Sequence, residues 1–308
     1  MVLILVQLFL LLGLCSCILN NESPIESYSN EVNLIQSGDI VVANSGNDSI
    51  ILLNSDGSYK STLVNTQTTN TLIYNGLAWD PINKVVLFNN DSSVTGFDAI
   101  NSISLFDGGI DPVVSNNQLN GVLRGVARLE GGELIVLEGN TSAEKFSANG
   151  TRIGSPFLTG LTTVTSDVTK LSTGGFIICS TSTSNTVRTY DADGVVLATA
   201  TSSSPVPSLG GMQAKSCTED QQGRIIVAYS GGTDAVRMYD ASLSTVIWTF
   251  TNTTVLSNPG KLAMKANGNV LVTDLSFHHI IELDPNGAQV GILGGVALST
   301  PSDIVVIP

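Results

Sequence analysis

Apolar residues in this chain come in short runs, each bounded by polar and turn-forming positions. Six runs share one form: Asp39-Ile40-Val41-Val42-Ala43, Lys84-Val85-Val86-Leu87-Phe88, Glu133-Leu134-Ile135-Val136-Leu137, Phe176-Ile177-Ile178-Cys179, Arg224-Ile225-Ile226-Val227-Ala228 and Asn269-Val270-Leu271-Val272-Thr273. Gly stands just before five of them (the pair Gly174-Gly175 before the fourth), and Asn83 takes that place in the second. Near-continuous runs rich in β-branched side chains predict strands covered on both faces. A polar turn follows each, and in the clearer copies a further strand ends on an acidic residue, as in Val187–Asp191, Val236–Asp240 and Ile280–Asp284. An outer strand comes next, such as Val195–Thr199 or Val246–Phe250. Another short strand precedes the main run, visible in Gly76–Asp80, Gly125–Arg128 and Lys261–Met264.

Four strands per repeat, recurring about every 42–49 residues, predict the blades of a β-propeller rather than a helical solenoid. Residue 38 enters the first blade at its second strand, and Pro301-Ser302-Asp303-Ile304-Val305-Val306-Ile307 has the character of an inner strand with no blade after it. Joining the two closes a ring and removes its open edges. The expected fold is therefore all-β, a six-bladed propeller over residues 37–308 with four-stranded antiparallel blades and the C-terminal strand completing the N-terminal blade.

The phrase Gly268-Asn269-Val270-Leu271-Val272-Thr273-Asp274, continued by Ile280-Ile281-Glu282-Leu283-Asp284, resembles an NHL repeat, and Pro259–Met264 resembles that repeat's opening. The resemblance is close in the last copy and in Gly38–Asn54, and blades two to four are degenerate. It implies membership of the NHL and gluconolactonase-like propellers, which include scaffolds, sugar-lactone hydrolases and lyases. Fold alone does not choose among these.

Residues 2–14 are an apolar run too short to span a bilayer as a helix, which takes about 20 residues, and at the start of a chain this length reads as a signal-peptide core. The run ends in Leu14-Cys15-Ser16-Cys17, which resembles the bacterial lipobox. That resemblance implies cleavage after Ser16 (signal peptide 1–16) and a lipidated Cys17 anchoring the protein in a membrane. An ordinary cleaved signal with two incidental cysteines is the plainer alternative. Residues 17–36 are polar and without period, a flexible tether. The absence of Asp after Cys17 points to the outer membrane, on its periplasmic or surface face, if the enterobacterial sorting rule applies.

Charge narrows the partners. Thirteen Lys+Arg against 26 Asp+Glu give a net charge of −13, and the sequence holds no run of basic residues. Such a surface repels nucleic acid. The 42% hydrophobic content supplies a large core, and Ser, Thr, Asn and Gly suit many short turns. Asn-x-Ser/Thr triplets at Asn21, Asn47, Asn90, Asn140, Asn149 and Asn252 are what this composition produces without glycosylation.

The position six residues after each opening Gly or Asn83 carries Asn44, Asn89, Glu138, Ser180, Tyr229 and Asp274. Equivalent repeat positions form a ring, so Asn44, Asn89, Glu138 and Asp274 are the candidate channel-mouth ligands, for Ca²⁺, Mg²⁺ or a polar molecule. The competing reading has each capping its own turn. Gluconolactonase-like hydrolases place Glu, Asn and Asp metal ligands at the channel mouth, which keeps a divalent-metal hydrolase or lyase as the alternative function. His278-His279 are adjacent and face opposite ways at a strand start, so they do not imitate the separated histidines of lyase-like propellers, and a metal site there would need further ligands from elsewhere. Cys179 and Cys217, in neighbouring blades, either pair as a disulfide or stay as buried thiols. No cofactor is predicted by the main reading. It is a monomeric, non-catalytic exported lipoprotein binding a protein or small polar ligand at the cell envelope.

Overall fold

The computed structural model describes residues 34–308 except 66–71, 93–97, 120, 140, 155, 160, 162–163, 182–185 and 202–211, and describes the backbone alone for residues 72–75, 91–92 and 116. The signal peptide, the lipobox and most of the tether lie outside the described residues. Ile35 is buried, and its N–H donates to Leu105 O at 3.0 Å, so three residues assigned to the tether belong to the domain.

Six antiparallel sheets make the blades. Their second strands are Ile40–Asn44, Val85–Ser92, Leu134–Glu138, Phe176–Ser180, Ile225–Ser230 and Val270–Asp274. These are the six apolar runs, displaced by a residue or two. The first blade pairs Ile40–Asn44 with the C-terminal strand Pro301–Val306, so the ring closes as the pattern predicts. Blade three has three named strands, Leu123–Arg128, Leu134–Glu138 and Ser142–Phe146. The place of its outer strand is held by two isolated bridges, Ala143 to Leu158 and Phe146 to Arg152. Gly150, Gly154 and Pro156 interrupt that segment and weaken strand formation there.

The second strands are apolar throughout because both faces meet another blade. Ile40 and Val42 pack against Leu271 and Ile280 of blade six, while Val41 and Ala43 pack against Val86 and Phe88 of blade two. Four other interfaces repeat this arrangement with aliphatic side chains predominating. The turn into five of these strands uses a Gly with left-handed backbone, for example Gly268 at φ 87°. In blade two the left-handed residue is Lys84 at φ 52°, one place after Asn83. Asp80 holds that turn through the N–H groups of Ile82 and Asn83.

Candidate functional site

The inner strands line the channel: Pro301–Val306, Leu72–Asp80, Leu123–Arg128, Thr165–Lys170, Gln213–Glu219 and Pro259–Met264 for blades one to six. Each carries an irregularity at the same height, beside the residue that ends the second strand. In blade four Thr165 pairs with Ser180 and Asp167 with Cys179, leaving Ser166 as the extra residue. The corresponding extra residues are Ser302, Arg124 and Lys215 in blades one, three and five, with Gly76-Leu77 and Gly260-Lys261 in blades two and six. A bulge re-aims side chains that regular alternation would send elsewhere. Here it turns Arg124, Ser166, Lys215, Lys261 and Ser302 onto the channel wall.

Asp303, Asp167 and Ser216, each one residue past the bulge of its strand, meet Lys261 in a polar layer that closes the channel. Lys261 Nζ lies 2.5 Å from Asp167 Oδ1 and 3.9 Å from Asp303 Oδ2. The same ammonium donates to Ser166 O at 3.0 Å and to Arg124 O at 3.5 Å. Asp167 Oδ2 accepts from Ser216 Oγ at 2.5 Å and Cys217 N at 3.3 Å. Asp303 Oδ2 accepts from Gly76 N at 2.5 Å and Leu77 N at 2.9 Å, and its Oδ1 from Ile304 N at 2.7 Å. All six blades therefore meet at this plug. Burial works against the Lys261 charge, but the two carboxylates outweigh it and hold the ammonium above its usual range. Burial pushes the Asp303 carboxyl up to about 6, with Lys261 pulling it down and Asp167 raising it further.

The plug separates two cavities. On the side where the inner strands begin, a mouth of about 350 Å³ is lined by Arg124, Lys215, Lys261, Ser166, Thr181 and Asn258 among others. On the far side, a pocket of about 300 Å³ is lined by apolar groups such as Leu77, Trp79 and Val168 together with the charged Arg128, Asp167, Lys170 and Asp303.

The four channel-mouth candidates lie one layer outside the bulge ring and are engaged differently. Asn44 is fully buried: its Oδ1 accepts from Ser299 N at 2.6 Å and its Nδ2 donates to Ala297 O at 3.2 Å. Asp274 accepts four backbone N–H groups, from Ser257 and Asn258 on one oxygen and from Ser276 and Phe277 on the other. Glu138 meets Arg152 at 3.1 Å, and Glu144 meets the same guanidinium at 2.7 Å. Asn89 is buried beside Gly76 and Gly125, and neither atom of its amide has a partner among the described residues. At the remaining ring positions, Tyr229 bonds Tyr239 hydroxyl to hydroxyl at 2.8 Å, and Ser180 is buried. Among the described residues no cluster of three or more His, Cys, Asp and Glu is arranged to hold a metal ion.

His278 and His279 sit at the turn and the start of strand His279–Leu283. His279 Nε2 donates to Val255 O at 2.8 Å, and His278 Nδ1 accepts from Thr300 N at 2.9 Å. Cys179 and Cys217 form a disulfide with Cα atoms 6.0 Å apart, joining blades four and five. The residues that build the channel, Arg124, Asp167, Lys215, Lys261 and Asp303, were not singled out by the sequence. The available signal was the third position of the inner-strand phrase, where Asp303, Asp167, Ser216 and Lys261 replace the apolar residue of a regular strand.

No known family's sequence profile matches the chain, and no curated protein does. Solved structures match its fold. A chain of a nidogen/laminin complex superposes with TM-score 0.72 at 14% identity, over 88% of this chain and 98% of its own. A gluconolactonase of Xanthomonas campestris gives TM-score 0.59 at 13% identity, over 85% and 84%. An inactive virginiamycin B lyase of Staphylococcus aureus, solved with quinupristin, gives 0.60 at 13% identity, over 86% and 84%. At these identities the similarity shows a six-bladed propeller and leaves function to the residues.

Proposed function

We propose that this protein is a non-catalytic, NHL-like binding module of the cell envelope, tethered by lipid at Cys17, probing small polar ligands or a protein partner with the plugged mouth of its propeller. The observation that carries the reading is the plug. Lys261, Asp167 and Asp303 are consumed in holding six blades together, which leaves above them a walled, blind recess suited to holding a ligand. Asn44 and Asp274 are likewise engaged in their own loops. The similarity to both a complex-forming protein and enzymes leaves either function open to this fold.

The test is a thermal-shift panel on the full chain with sugars, organic acids and divalent cations, beside lactone-hydrolysis and lyase assays. A ligand that raises the melting temperature without turnover fits the module, through binding linkage. Turnover above background would sink the non-catalytic reading. Membrane fractionation of wild type and Cys17→Ser tests the anchor: the variant should leave the membrane fraction.

One observation favours a metal-dependent hydrolase or lyase as the second reading, the buried Asn89 amide with no partner among the described residues. That reading expects Ca²⁺ or Mg²⁺ to raise the melting temperature and Asn89→Ala and Asp274→Ala each to abolish the shift.

A further inference from the structure

We infer that the mouth above the plug binds a small organic anion, a carboxylate or phosphate ester, between Arg124 and Lys215; the inference rests on the reading of the protein as a binding module. The chain carries 13 Lys+Arg and a net charge of −13, yet cations from blades three, five and six converge on this one mouth. The convergence comes from backbone geometry, because Arg124 and Lys215 are the extra residues of their bulges. In an acidic protein, like charges brought together on a half-enclosed wall form an electrostatic recess for a partner of opposite sign.

The local charges support the same sign. Beneath the mouth, the carboxylates of Asp167 and Asp303 are already bound by Lys261, Ser216, Gly76 and Leu77. The Lys215 ammonium donates to the neutral Gln213 side chain at 2.9 Å. Burial, and then the positive charge of Arg124, hold Lys215 below its usual range. That unfavourable field is relieved when an anion enters.

The cavity adds the size and character of the ligand. About 350 Å³ is more than a lone phosphate fills, and Val164, Pro259 and Leu275 add apolar wall beside Thr181 and Asn258. The recess therefore suits an anion with a carbon body. A guanidinium grips carboxylate or phosphate oxygens in a bidentate fork, and an ammonium adds a point charge.

The experiment is calorimetric titration of the full chain with citrate, 3-phosphoglycerate and inorganic phosphate, with glucose as the neutral probe and phosphatidylglycerol vesicles as a separate arm. Saturable binding of citrate or 3-phosphoglycerate is expected, tighter than that of inorganic phosphate. Lys215→Gln or Arg124→Gln should each weaken it by about tenfold or more, as loss of a charge-assisted contact in a recess does. Lys84→Gln, at an exposed lysine in a turn beyond the other end of the channel, should leave it unchanged. Melting temperatures of the variants separate lost binding from lost folding. Binding to the vesicles alone, lost in the same variants, would keep the anion and assign it to a lipid head group. No saturable binding of any anion, or binding undiminished in both variants, overturns the inference. A response to glucose alone would overturn the anion while leaving the binding module standing, whereas no response to any probe would count against both.

Discussion

Lys261 Nζ and Asp167 Oδ1 lie 2.5 Å apart across the channel although 94 residues separate them in sequence. Each side chain is more than nine-tenths buried or close to it, so neither charge is relieved by water. Removing one partner of such a pair leaves the other unpaired in a poorly solvated place. Lys261→Met is expected to destabilise the fold by about 3–5 kcal/mol, read from urea unfolding. Adding Asp167→Asn should recover part of that loss. An additive double variant would show that the two groups are not coupled.

Asp303 makes stability depend on pH. Its folded pKa of about 6 lies above the ordinary carboxyl value of 3.8, so in this range the folded state holds the proton more tightly. The associated stability is fully present below about 3.8 and is lost as pH rises through about 6. The melting temperature of wild type should therefore carry a falling component across that window. Asp303→Asn should lack it, so the wild-type-minus-variant difference should fall between about pH 4 and pH 6 and level off above. A wild-type and variant pair that track each other would refute it.

Gly76 is held by two constraints. Its φ is 71°, and an added Cβ would run into the Asn89 amide and come within 3.0 Å of Gly125 Cα. Gly76→Ala should cost about 1–3 kcal/mol, since strain in the left-handed region adds to the clash. Gly139 has φ 66° with nothing within 4 Å of an added Cβ, so Gly139→Ala should cost less, by the conformational part alone. Equal losses in the two variants would remove the role assigned to the crowded wall between blades two and three.

The Cys179–Cys217 disulfide closes a separation of 38 residues between two blades. In the chain-entropy account such a loop contributes about 4 kcal/mol by restricting the unfolded state. Reduction, or Cys179→Ala with Cys217→Ala, should lower the unfolding midpoint accordingly. Peptide mapping of the oxidised protein should recover the two cysteines in one linked fragment; recovery as separate thiols would contradict the bond.

Much of the fold is legible without coordinates because its signal is local. Val41 and Val42 face different neighbouring blades, and that double burial writes itself as a continuous apolar run. The opening glycines mark the left-handed turns, as at Gly38 and Gly268. Ring closure by Pro301–Val306 is also visible, since a strand without its blade needs a partner at the other end of the chain. The three-stranded blade three was less legible: Arg152 and Leu158 make only isolated bridges, and a bridge has no period to detect.

What the sequence determined by itself, then, is the repeat, the blade count and the way the ring closes, because each depends on contacts whose residues recur at a regular spacing. What the tertiary structure alone decided is the channel. The strand-end ring of Asn44, Asn89, Glu138 and Asp274 is regular in sequence, but the side chains facing the opening belong to bulges one layer further in. The basic residues show the same limit. They form no run along the chain, yet Arg124, Lys215 and Lys261 meet at one mouth. A bulge shifts a side chain by a single backbone irregularity, and ring geometry joins charges from blades far apart in the chain, so neither leaves a periodic mark.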